Sequence, residues 1–289
     1  MKAAAFAYQR AATLDEAIHL LSDPPSEGKA SLDLVTKLCS GSQSLGPMMN
    51  LRLAQVDQLV DLRHIPELHA VQLASASLRI GAALTHAQIE DGLLPDVTHG
   101  LLARIASRIA YRAIRNRGTL GGSLAHADPK ADWVSTMCLL DAGIILQGPA
   151  GERTIRASEF FLGPFTTALA ADELLIAVEV PRFGAQARWA YRKFCRKPGE
   201  FAQAIGAVWL DPSRGIARAL LGAQDSMPHV IEGDALAGLL RTPDPKAFNL
   251  AMAPVLDAAG IEAAYERDVA AAMLRRAIAD LDAPLSAKP

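Results

Sequence analysis

The sequence predicts an α+β fold. Three observations carry the prediction. Strands and helices are interspersed without the strict strand–helix alternation of a doubly wound sheet. Three alternating runs, Arg188–Phe194, Phe201–Asp211 and Ile216–Asp225, follow one another across turns as an antiparallel meander. From Asp244 to Leu281 the chain is Ala-rich and helical in pattern.

Thr13–Asp23 reads as a helix, with Thr13 as N-cap, Asp15 and Glu16 in the first turn, and apolar residues at helical spacing. The stretch "PPSEGKA" (24–30) breaks the chain. Leu32–Leu38 is strand-like and leads directly into a Gly/Ser loop, Ser40–Gly46. Gln58–Ile65 and Ser77–Thr85 are short β-like runs, and Thr85 starts a helix. His99–Ile114 predicts one helix, apolar on one face, with Arg104, Arg108, Arg112 and Arg115 along another. That arginine row is either a solvated face or a docking surface for an acidic or iron–sulfur partner. The segment 133–151 reads as a helix and then a strand ending at Gly148–Gly151. Thr154–Gly163 follows as a helical turn, and Glu173–Pro181 as an edge-terminated strand. A domain boundary is placed near 177–185, giving 1–177 (subdomains about 1–60 and 61–177) and 178–289.

Composition narrows the function. With 51% hydrophobic and 21% charged residues, the 289-residue chain can bury a core, and with aromatics at 5% that core is mostly aliphatic. A net charge of -2 gives no electrostatic case for nucleic acid. No apolar run suits a signal peptide or a membrane span, so a cytoplasmic protein is expected. Cys39, Cys138 and Cys195 are scattered without a C-x-x-C pair, which predicts reduced thiols and no local zinc or iron–sulfur site.

Two glycine-containing segments carry the chemistry. In "SGSQSLGPMMNLRLA" (Ser40–Ala54), Gly41 and Gly46 permit positive φ, and the serines and amides can donate to oxygens. In "GTLGGSLAHADP" (Gly118–Pro129), Gly121–Gly122 would let backbone approach a ligand, with Thr119 and Ser123 as hydroxyl donors. Neither matches the dinucleotide fingerprint or the P-loop. Two donor-rich loops about 80 residues apart suit the two ends of one pyrophosphate. Asp128 and Asp132 repel phosphate but accept from sugar hydroxyls, or orient the loop. A ligand that is part phosphate and part polyol, such as FAD, fits the mixture.

The first segment resembles the pattern A-G-G-Q-S-L-x-P-M-x-N-x-R-L-A, and "IRNRGTLGGSLAHADPKAD" (Ile114–Asp132) resembles the second signature of the same family. That family comprises the FAD-binding medium subunits of molybdenum hydroxylases, in the xanthine dehydrogenase and carbon monoxide dehydrogenase superfamily. Weaker likenesses extend over nearly the whole chain. The resemblance implies a two-part FAD domain of the vanillyl-alcohol-oxidase (PCMH) type and a small C-terminal α+β domain. It implies that Ser40, Gly41, Ser42, Gln43 and Ser44, with Gly118, Thr119, Gly121, Gly122 and Ser123, hold the pyrophosphate and adjoining sugars. Asp132 would take an FAD hydroxyl, with Asp128 orienting the loop or reaching another. Leu175 would lie against the flavin system, Lys193 would sit near the flavin, and Thr85 and His86 would be further contacts. Ser42 stands where the family has a second glycine; if that position needs positive φ, the serine costs on the order of 1 kcal/mol.

No catalytic residue and no metal ligand is expected in the chain itself. The resemblance implies a large molybdenum–molybdopterin subunit and a small subunit with two two-iron two-sulfur clusters, arranged as a dimer of heterotrimers. Electrons would pass through them to FAD here and on to an external acceptor. The form of the second signature is similar to enzymes hydroxylating N-heteroaromatic rings of the quinoline or nicotine type. The alternatives are the same subunit role in an aldehyde, xanthine or carbon monoxide dehydrogenase, a free-standing FAD oxidase of the vanillyl-alcohol-oxidase type, and a scaffold without FAD.

Overall fold

A computed structural model describes residues 2–22, 35–242 and 244–282. The expected break at 24–30 and the first part of the Leu32–Leu38 strand lie outside the described residues.

The chain opens with β1 (Ala7–Arg10), α1 (Leu14–Ser22), β2 (Thr36–Cys39), α2 (Leu45–Asn50) and β3 (Gln58–Asp61). The three strands form a parallel sheet in the order β1-β3-β2. Thr13 caps α1 as expected: its Oγ1 accepts from Glu16 N at 3.1 Å, and Glu16 Oε2 accepts from Ala12 N at 2.6 Å. Arg10, Asp61 and Cys39 end their strands side by side. The carboxyl edge of this sheet, where ligands of parallel sheets gather, therefore carries both the Ser40–Ser44 turn and Asp61–Arg63.

Next come β4 (Val71–Leu73), β5 (Ser77–Gly81), α3 (His86–Glu90), α4 (Leu101–Ser107), α5 (Arg112–Arg115), α6 (Leu120–His126) and α7 (Asp132–Leu140). They are followed by β6 (Gly143–Gly148), β7 (Gly151–Arg156), α8 (Ala157–Phe160), a small hairpin of β8 (Phe161–Gly163) and β9 (Thr166–Thr167), and β10 (Leu174–Pro181). An antiparallel sheet forms in the order β4-β5-β10-β6-β7. β10 is thus the central strand, not an edge. Leu174 to Val178 are all buried, and Pro181 sits at the strand's last paired position, where a missing N–H is tolerated.

The expected 99–114 helix is two helices. Between them Ala110 has φ +44°, and three successive carbonyls are taken by cationic side chains. Arg108 O accepts from Lys193 Nζ at 2.8 Å, and Ile109 O and Ala110 O each accept from Arg115 Nη1 at 3.0 Å. The arginine row is not a uniform face either. Arg112 and Arg115 both pair with Glu90 at 2.7 Å, and Arg112 also pairs with Asp91, tying α5 to the end of α3.

The last part is the expected meander: β11 (Arg188–Phe194), β12 (Ala204–Asp211) and β13 (Ile216–Gly222), extended by β14 (His229–Ile231). Helices α9 (Gly233–Leu240), α10 (Pro245–Ala258) and α11 (Ala264–Ala279) follow, and Asp244 caps α10 through Ala247 N at 2.8 Å. β12 is buried on both faces. Ile205, Ala207 and Trp209 join the main core with α7, whereas Val208 joins a second core with α10 and α11. The main core draws its members from Ala11 to Ala223, so it joins part of the C-terminal sheet to the elements that frame the site.

Candidate functional site

The two glycine-containing segments meet. A Cβ added to Gly41 would lie 2.0 Å from Arg117 O and 2.7 Å from Gly118 Cα, so only glycine allows this approach. Ser42 has φ +54°, the conformation for which its side chain carries the cost anticipated from sequence. The turn closes by Gly46 N donating to Ser42 O at 3.0 Å and Gln43 Nε2 donating to Gly41 O at 2.9 Å, and Ser44 is the N-cap residue of α2. Among the described residues, the amides of Gly41, Ser42, Gln43 and Ser44 find no protein acceptor. Ser40 Oγ is buried and likewise without a partner. Such donors at a turn form an anion-binding concavity. A phosphate-bearing ligand such as FAD fits this donor set.

The second segment differs from expectation. Gly121 and Gly122 lie inside α6, not in a loop. Thr119 caps that helix, its Oγ1 accepting from Gly122 N at 3.2 Å. Leu120 N donates to Leu84 O, Gly121 N to Ala82 O and Ser123 N to Thr119 O, so the first-turn amides are spent internally. The missing side chain of Gly121 makes room for Ala82, whose Cβ would be 2.5 Å from a new methyl, rather than for a ligand. Gly122 is exposed and Ser123 is half-buried beside it.

Thr85 faces Thr119 across an antiparallel bridge and closes a capping box with Gln88. His86 turns inward. Its Nδ1 accepts from Trp133 Nε1 at 3.0 Å, its ring lies under Gly118, and burial lowers its pKa to about 4, with Arg115 adding to the effect. It is a neutral structural histidine. His126 lies with its ring 5.1 Å from that of Phe165. Asp128 accepts from Lys130 N at 2.9 Å and thereby orients the turn into α7.

Asp132 and Lys193 are brought together. Lys193 Nζ lies 2.9 Å from Asp132 Oδ2, with both side chains buried, and Tyr191 OH donates to Oδ1 at 2.9 Å. Tyr191 and Lys193 are two apart on β11 and so share a face. Burial, with the negative Asp132 next in effect, raises the Tyr191 hydroxyl's pKa well above its ordinary value. Both Asp132 oxygens are thus engaged by protein, where the resemblance had assigned the carboxylate to a cofactor hydroxyl. Leu175 is buried on β10, opposite Leu146.

A cleft of about 450 Å³ opens beside the junction, lined in part by Arg63, His69, Thr85, Asn116, Arg117 and Thr119. Sequence reasoning missed Arg63, Asn116, Arg117 and Tyr191. Asn116 and Arg117 stood inside the second signature, and Tyr191 was signalled by its alternation with Lys193. Arg63 carried no local signal.

The class follows from the architecture. At 30% identity the fold matches a solved structure of quinoline 2-oxidoreductase from Pseudomonas putida 86, with a TM-score of 0.82 over 97% of this chain and 98% of that one. The chain is 36% identical over 203 residues to the carbon monoxide dehydrogenase medium chain of Hydrogenophaga pseudoflava, covering 70% of this chain and 68% of that one. It is 34% identical to the nicotine 6-hydroxylase medium subunit of Paenarthrobacter nicotinovorans, covering 84% and 80%. Residues 4–183 match the FAD binding domain in molybdopterin dehydrogenase, and the chain belongs to that family. It is the FAD-carrying medium subunit of a molybdenum-containing oxidoreductase. Among the described residues, no helix is long and apolar enough to cross a membrane, and no His/Cys/Asp/Glu group could hold a metal ion.

Proposed function

We propose that this chain serves as the electron-transfer subunit of a cytoplasmic heteromeric hydroxylase acting on an N-heteroaromatic compound, assembled as a dimer of heterotrimers. FAD, when bound, accepts electrons delivered by iron–sulfur clusters of a small subunit and yields them to an external acceptor. In this reading residues 1–177 bind the cofactor and 178–289 supply Lys193. The observation that carries the binding role is the Ser40–Ser44 turn, with its unspent amides and the orphaned Ser40 hydroxyl closed against Arg117–Gly118. Thr119 adds a hydroxyl whose proton is not used by its own cap.

Asp132 acts through Lys193. Tyr191 and Arg108 O hold the buried pair in place, and its ammonium would stand near the bound cofactor. A fixed positive charge favours the negative charge that a reduced flavin ring acquires. Leu175, on β10, would offer the ring an apolar side chain.

The N-heteroaromatic assignment rests on the likeness to the nicotine and quinoline enzymes. The likeness to a carbon monoxide dehydrogenase medium chain favours a second reading, the same subunit role toward a different substrate. The test is to purify the chain with its co-expressed neighbours, release flavin with acid, and assay dye reduction with quinoline-type heterocycles, aldehydes and carbon monoxide. Bound FAD with heterocycle turnover only in the full complex is the expected result. Turnover by the isolated chain, or an intact complex lacking flavin, refutes the subunit role. Turnover of carbon monoxide or aldehydes alone refutes the substrate.

A further inference from the structure

The cleft beside the junction holds a preset arginine, Arg63. Asp61 is fully buried at the end of β3 and accepts from Tyr8 OH, from Arg63 N at 2.9 Å, from Arg63 Nε at 3.0 Å and from Arg63 Nη2 at 2.6 Å. This two-pronged clamp fixes the guanidinium plane and leaves the Nη1 donors outside the pair. Arg63 thereby stands on the carboxyl edge of the parallel sheet, the edge from which the Ser40–Ser44 turn springs. Arg117 lines the same cleft, and its carbonyl is the atom against which Gly41 packs. Asn116 and Thr119 add uncharged donors, and His69 is tied to Arg63 O at 2.9 Å. Asp91 also lines the cleft, but its carboxylate is held by Arg112.

The geometry points to a second anion subsite between Arg63 and Arg117, which takes the adenylate-side phosphate of FAD while the Ser40–Ser44 amides take the other. The inference rests on the FAD-binding reading above. The orientation follows from the lining: the cleft contains none of Lys193, Asp132, Tyr191 or Arg108, so it belongs to the end of the ligand away from the flavin ring. Asp61 and Tyr8 are positioning residues, because they act on the ligand only through Arg63.

The test titrates the full chain, stripped of flavin, with FAD and with FMN, which lacks the adenylate phosphate. Flavin fluorescence reports binding, and thermal unfolding without flavin reports folding. Arg117→Gln is the decisive variant, since no ion pair among the described residues depends on it. Arg63→Gln is the second, Arg63→Lys its charge-keeping control, and Tyr8→Phe tests the clamp. Loss of one charge-assisted contact lowers FAD affinity about 10-fold or more. Both Gln variants are expected to show that drop, with FMN affinity within about twofold of wild type, and FAD binding to become less salt-dependent. Unchanged FAD affinity in Arg117→Gln, or equal losses for FAD and FMN, overturns the assignment. If instead the FAD-loaded chain binds ADP in an Arg63-dependent way while FAD affinity is unaltered, the cleft serves a separate nucleotide and the inference fails. A wild-type chain that takes up neither flavin defeats the FAD reading itself, an outcome distinct from all of these.

Discussion

Gly41→Ala isolates the contact on which the site depends. The added methyl would sit 2.0 Å from Arg117 O, about 1.4 Å short of ordinary contact, and 2.7 Å from both Arg117 C and Gly118 Cα. All three are backbone atoms, so no rotamer change relieves the clash. The two segments must part, and overpacking of this kind costs about 1–3 kcal/mol. If the ligand bridges the two segments in their native spacing, that cost falls on the bound state, and FAD affinity drops about 10- to 100-fold. Gly46→Ala is the matched control. Its new methyl meets nothing nearer than Ser42 Cβ at 3.9 Å, and alanine in α2 is favoured over glycine by about 0.5–1 kcal/mol. The assay is FAD content after purification, with titration of the flavin-stripped chain and urea unfolding of the apo form. Native FAD affinity in Gly41→Ala would refute the reasoning, as would an equal loss in both variants.

Lys193→Met should destabilise the chain by about 3–5 kcal/mol, because Asp132 is left charged and buried, and adding Asp132→Asn should recover part of the loss in urea unfolding. His86 binds no proton in the folded state until about pH 4, whereas the unfolded chain protonates it near pH 6.5. Stability is therefore complete above pH 6.5 and lost as pH falls toward 4, by about 3 kcal/mol in all. His86→Leu should remove that component from the pH dependence of the unfolding midpoint. Burial pushes the Cys138 thiol up to about 12 and also raises that of Cys39, whereas Cys195 is half-exposed. Iodoacetamide should modify one thiol per native chain rapidly, Cys195 by peptide mapping, and all three after unfolding.

Much of this protein was local enough to be legible in the sequence. The Thr13 cap, the Thr85 helix start, the meander from Arg188 and the helices after Asp244 depend on neighbours a few residues away, and all are present. The cost of a serine at position 42 was anticipated from the second glycine of the family pattern, and Ser42 does have positive φ. What tertiary structure decided involves partners distant along the chain. Helix 99–114 is interrupted where Lys193, 85 residues further on, captures the Arg108 carbonyl. β10 ends in proline like an edge strand, yet β5 and β6 pair with its two sides. The glycine pair at 121–122 looked like a ligand loop and is a helix start, because the Ala82 carbonyl accepts from Gly121 N and Thr119 Oγ1 from Gly122 N. That Asp132 pairs with Lys193 and accepts from Tyr191 was likewise invisible until β11 was packed against the start of α7. The motif showed which residues gather. Only the packed chain settled which of their hydrogen-bonding groups remain unspent, since each donor's availability depends on acceptors that folding brings from elsewhere.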